Sequence, residues 1–117
     1  MEPTDINRRA FDELRYGNMS PHPLVGVGQL TQHDPSRAPE GKAIFHAWDY
    51  VPYERPDGRS WDESKREFAD KVIARMANYI DNVPDVVLDY HCDSPVDMER
   101  TSPSFFRGDL HGIATTT

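Results

Sequence analysis

The sequence predicts an α+β fold in which a small, mostly antiparallel sheet of about three strands carries one main helix. Three observations lead there. Residues 24–31 and 43–51 read as strands and are separated by turn-forming residues. A long segment after Ser60 has the apolar spacing of a helix, and residues 86–93 alternate again as a third strand. At 117 residues there is room for one core. That core is expected to be thin, because only 37% of the residues are hydrophobic and ten prolines and seven glycines cut the chain into short elements.

Residues 1–23 form an N-terminal arm: Ala10, Phe11 and Leu14 recur at near-helical spacing until "GNMSPHP" ends the helix. "LVGVGQLT" follows as a strand weakened by Gly26 and Gly28, whose missing side chains leave room for another backbone or an aromatic ring. "QHDPSRAPEGK" then turns the chain. Asp34 and Ser36 can bond nearby backbone N–H groups, Pro35 and Pro39 fix φ, and Gly41 tolerates a positive φ. The next strand, "KAIFHAWDYV", is partly apolar on both faces, with Ile44, His46, Trp48 and Tyr50 on one and Phe45, Ala47, Asp49 and Val51 on the other. That pattern fits an interior strand better than an edge, antiparallel to the one before it.

Ser60 and Glu63 have the spacing of a capping box, and a single stripe of Phe68, Ala69, Val72, Ile73, Met76 and Ile80 requires one helix face to be buried. Asp62 with Arg66 and Glu67 with Lys71 are i,i+4 pairs on the solvated side. After the "VVLDYHCD" strand, Ser94, Pro95 and Asp97 open a short helix. Residues 114–117 are a tail.

Composition excludes several functions. A net charge of −7, with 13 basic residues interleaved among 20 acidic ones, offers no basic stripe for a nucleic acid. A single cysteine, Cys92, precludes an internal disulfide and a thiolate zinc site. It reads as a structural thiol in an intracellular, cytoplasmic chain. The start has no apolar run of signal-peptide type, and no later segment reaches membrane-spanning length. The five histidines are scattered, so no metal site is expected. There is no glycine-rich phosphate loop, and the acidic pairs Asp62/Glu63 and Asp81/Asp85 serve as caps and solvated charge. Trp48, Tyr50 and Tyr53 either line an apolar ligand pocket or belong to the core. Spacing alone singles out no catalytic constellation.

Four stretches in order, "DPSRAPEGKAIFHAWDYVPYE", "WDESKREFADKVIARMANYI", "VVLDYHCDSPVDMER" and "SPSFFRGDLHGI", give the sequence a further reading. Across residues 18–113 it resembles the phytoene desaturase-like flavoprotein oxidoreductases, FAD-dependent enzymes that include carotenoid desaturases and retinol saturase-like proteins. The resemblance implies that residues 24–113 are part of the substrate domain of a larger flavoprotein. The flavin-binding ends of such a protein are absent here, so FAD would be held mainly by a partner polypeptide carrying the FAD-binding fold. The implied chemistry is hydride transfer from a small, apolar organic substrate to the flavin, with the cofactor carrying the hard step. By motif position Gly108, Asp109 and Gly112 are cofactor-binding candidates and His111 the catalytic candidate. Trp48, Tyr50 and Tyr53 are the substrate-binding candidates. Arg107 stands where the family commonly has glycine. The expected function is that of a small subunit or fragment of a split FAD-dependent oxidoreductase, inactive without its partner. The alternative is a stand-alone binding or interaction module that kept the sheet and lost flavin chemistry.

Overall fold

A computed structural model describes residues 4–110. Helix α1 (Thr4–Arg15) leads through the 16–25 segment into strand β1 (Gly26–Gln29). A single helical turn, α2 (Leu30–His33), and a 3-10 turn (Pro35–Arg37) reverse the chain into β2 (Phe45–Trp48). The long helix α3 (Trp61–Met76), the short helix α4 (Pro95–Thr101) and a closing 3-10 turn (Phe106–Gly108) complete it.

The described fold is α+β, with two strands rather than three. β1 and β2 pair antiparallel, with Gly26 opposite Trp48 and Gln29 opposite Phe45. Side chains close both ends of this ladder. At one end the Thr31 hydroxyl accepts the Ile44 N–H at 3.3 Å. At the other, Asp49 Oδ1 accepts the N–H groups of Leu24 at 3.0 Å and Tyr50 at 2.7 Å. Both strands are therefore shorter than the alternating segments that encode them, because a side-chain acceptor takes the next backbone donor at each end. Gly26 has the role its missing side chain suggested: a Cβ there would lie 2.6 Å from the Trp48 ring. Gly28 faces open space.

Residues 86–93, expected as a third strand, do not join the sheet. They run back along α3, where the Tyr90 hydroxyl donates to Asp70 at 3.0 Å and the Cys92 thiol to the Lys65 carbonyl at 3.7 Å. The alternation that suggests a strand meets no strand partner among the described residues: Val86 closes a turn by donating its N–H to Asn82 O, the side chains that follow anchor the segment to a helix, and Val86 and Leu88 stay exposed. The main helix is likewise not laid across the sheet. Trp61 donates its indole N–H to the carbonyls of Pro52 and Tyr53, and Arg100 grips Asp62 through two 2.8 Å bonds, so the 52–53 loop and α4 hold α3 in place.

The stripe on α3 is as expected, with Trp61, Ala69 and Met76 buried and Phe68 packed edge-on against Trp61 at 5.8 Å. Ser60 accepts the Glu63 N–H, and the complete reciprocal box is found at Ser94, which exchanges bonds with Asp97 at the start of α4. Of the two expected surface pairs, Glu67–Lys71 forms at 3.0 Å, while Asp62 is taken by Arg100. From the first helix Ala10 is buried and Phe11 meets Tyr50 at a tilt of 50°, ring centres 5.6 Å apart. The core is thin as anticipated: among the described residues only Ala10, Trp61, Ala69 and Met76 are buried hydrophobics.

Candidate functional site

Two neighbourhoods contain the residues singled out in the sequence. The first is the aromatic end of the sheet. Trp48 ends β2 and lies over Gly26, half exposed at 52%, and its ring meets Tyr50 edge-on at 5.5 Å. Tyr50 in turn meets Phe11, giving a continuous row of three rings, each between 42% and 52% exposed. Between Trp48 and Tyr50 in the chain is Asp49, bonded to the Leu24 and Tyr50 N–H groups. Burial pushes its carboxyl up to about 6, against the opposing pull of the N–H groups of Tyr50 and Leu24. This half-buried carboxylate was not singled out by spacing, since in the sequence it is one more alternating position of the segment at 43–51.

The second neighbourhood gathers the strand exit, α4 and the C-terminal turn. Tyr53 is not part of the aromatic row. Its hydroxyl donates to Glu99 on α4 at 2.5 Å, and the Arg107 guanidinium lies over its ring at 4.9 Å. The second oxygen of Glu99 accepts the Arg107 backbone N–H at 2.9 Å. Glu99 therefore joins the end of the sheet to the C-terminal turn. Its own carboxyl is held below the usual range by these donors, while the Tyr53 phenol is raised by the same bond. Sequence reasoning missed Glu99 because its partners lie 46 residues upstream and 8 downstream.

Arg107 and Gly108 both have positive φ, at 53° and 76°. The position where the resembled family commonly has glycine thus keeps a left-handed backbone while carrying arginine. Gly108 has a second reason to be glycine, because a Cβ would fall 2.6 Å from Pro95 at the start of α4. The close approach its place in the motif suggested is made to Pro95 of the same chain. Asp109 ends the turn by donating its N–H to Phe106 O at 3.1 Å. His111 and Gly112 lie outside the described residues.

Ion pairs bolt this neighbourhood to α3. Lys65 meets Asp97 at 2.7 Å, and Asp97, although desolvated, is held well below the usual carboxylate range by Lys65 and by the Ser94 cap. Cys92 is half-buried and its thiol is raised by that burial, so it offers no thiolate nucleophile. Among the described residues no group of three or more His, Cys, Asp or Glu side chains is placed to hold a metal. Nor is any helix among them long and apolar enough to cross a membrane.

Comparison with known proteins places this geometry in context. The chain is 31% identical over 101 residues to pyridine nucleotide-disulfide oxidoreductase domain-containing protein 2 of Rattus norvegicus, and 30% identical over the same length to its Mus musculus counterpart. In both cases the match takes in 85% of this chain and 17% of the relative. The chain therefore spans about a sixth of the length of the curated relatives it matches. No family model matches it, and no solved structure matches it closely enough to report. The similarity is a distant homology to oxidoreductases named for pyridine nucleotide chemistry.

Proposed function

We propose that this chain is a small subunit or fragment of an FAD-dependent oxidoreductase of the phytoene desaturase-like kind, contributing a sheet that covers the flavin and an apolar substrate. A second polypeptide supplies the FAD-binding fold, and the chain alone is inactive. The observation that carries this reading is the homologous match itself, which runs along 85% of this chain yet occupies only 17% of each relative. The sheet supports it, since all four residues of β2 are exposed and the Phe11, Tyr50 and Trp48 rings present a continuous apolar row.

The described residues do not themselves form a flavin cradle. The space beside Gly108 is filled by Pro95 and that beside Gly26 by Trp48, so neither glycine opens onto a bound nucleotide. What the chain brings is a surface: aromatic area that excludes water, and the Tyr53–Glu99–Arg107 clamp that fixes the C-terminal turn. Trp48 and Tyr50 serve as substrate-facing residues in this reading, and Tyr53 acts through the clamp. Flavin, when bound by the partner, supplies hydride acceptance.

The test is recovery of the tagged chain from its native cells, followed by an absorption spectrum and identification of accompanying polypeptides. A flavin band travelling with a second chain is expected. A stable, colourless monomer that never recruits a flavin-containing chain would overturn the proposal.

A further inference from the structure

The sequence of β2 has the two-sided apolar pattern of an interior strand, yet β2 lies at the edge of a two-stranded sheet. The ladder shows which of its backbone groups are left over. The Leu30 N–H bonds to Ile44 O at 2.9 Å, and the register pairs Gly28 with His46 and Gly26 with Trp48. Hydrogen-bonded pairs alternate in an antiparallel ladder, so His46 and Trp48 direct their backbone groups toward β1, while Phe45 and Ala47 direct theirs outward. Natural edge strands are blunted by lysine, proline, a bulge or a covering element. "FHAW" contains no lysine or proline, its register with β1 runs without a bulge, and all four of its residues are exposed. Two strands alone are marginally stable in water, and the flanking Ile44 and Phe45 are about 40% exposed.

We propose that the outer edge of β2 is completed by an extended strand of the flavin-binding polypeptide, hydrogen-bonded to the backbone groups of Phe45 and Ala47. This rests on the split-oxidoreductase reading. The occupant follows from the comparison. In the relatives the matched segment is 17% of the chain, which leaves a large remainder of polypeptide to supply the neighbour that an interior-type strand requires. Main-chain bonds would supply affinity, and the exposed side chains on both faces of β2 would supply register.

Ala47→Pro removes one outward N–H and places a ring on the edge, leaving the ladder to β1 untouched. Val27→Pro makes the same change on the outer edge of β1 and is the control. The probe is the flavin-containing complex recovered with the wild-type chain, its partner separated and then remixed with each variant. Ala47→Pro is expected to weaken recapture of the yellow partner at least about tenfold, and Val27→Pro to leave it unchanged. Amide exchange on the wild-type chain gives a second readout that needs no variant to fold: the Phe45 and Ala47 amides should slow at least about a hundredfold in the complex. If the complex forms but both amides exchange freely, or Ala47→Pro is recaptured normally, the edge proposal fails and the split-enzyme reading stands. If no flavin-bearing chain is recovered, both fail. A wild-type dimer that Ala47→Pro converts to a monomer would show that a second copy occupies the edge, and would also overturn the proposal.

Discussion

Asp49→Asn should make the protein more stable at neutral pH. Asp49 Oδ1 accepts both the Leu24 and the Tyr50 N–H, and an asparagine carbonyl in the same place accepts both as well. The substitution therefore keeps the bonds and removes a half-buried charge. With the folded carboxyl near 6 and its ordinary value at 3.8, the linkage has a definite sign. A raised folded pKa contributes stability that is complete below about pH 4 and is lost as pH rises through about 6. The shift corresponds to about 3 kcal/mol at most, and because the group keeps contact with solvent, about 1–2 kcal/mol is the expected effect. Urea unfolding of both proteins across about pH 4–7.5 measures it. The two should agree within about 0.5 kcal/mol at the acid end, and the variant should pull ahead by about 1–2 kcal/mol at the neutral end. Comparing the two proteins at each pH cancels every other titrating group. A variant less stable than wild type at neutral pH would mean that the charged carboxylate's bonds outweigh its burial, and the reasoning would be wrong.

Gly108→Ala meets Pro95 at 2.6 Å and a φ of 76°, so a loss of about 2 kcal/mol or more is expected in denaturant melts. Ser94→Ala removes the hydroxyl that accepts the Asp97 N–H while keeping the backbone N–H that donates to Asp97, and should cost about 1 kcal/mol by the same assay. Trp61→Phe strands the carbonyls of Pro52 and Tyr53, and about 2 kcal/mol of destabilisation is expected. Its tryptophan fluorescence should then come from Trp48 alone, red-shifted and open to acrylamide, because Trp48 is 52% exposed while Trp61 is 4% exposed. A blue, protected emission from Trp61→Phe would contradict the placement of Trp48 on the surface. Glu99→Ala, which removes both acceptors, should speed tryptic cleavage after Arg107, whose backbone N–H Glu99 holds, and unchanged cleavage would remove the clamp from the account.

Local rules made most of the elements legible. The α3 stripe from Phe68 to Met76, the Ser94–Pro95–Asp97 helix start and the Asp34 turn all depend on residues a few positions apart, and each lies where its spacing put it, while Ile80, expected on the stripe, falls beyond the end of the helix. The aromatic close approach expected at Gly26 is made by Trp48. What spacing could not convey was which long-range partner an element would find. Residues 86–93 alternate like a strand, but Tyr90 bonds to Asp70 on α3 and the segment pairs with no strand among the described residues. Asp62 has the spacing to pair along its own helix with Arg66, yet Arg100 approaches from α4 and takes both of its oxygens. The candidate site was read in pieces for the same reason. Tyr53, Gly108 and Asp109 were named from strand position and motif, but Glu99, which ties the first of them to the C-terminal turn, has no local signature.

Arg107 has a bearing on how such a chain changes over time. A left-handed backbone at a non-glycine residue costs roughly 1 kcal/mol, and at Arg107 the φ of 53° is held by the Glu99 carboxylate on its N–H and by the Tyr53 ring under its guanidinium. Those two neighbours make the arginine permissible. How well arginine is tolerated at this position therefore depends on the side chains at positions 53 and 99, although neither is near it in sequence.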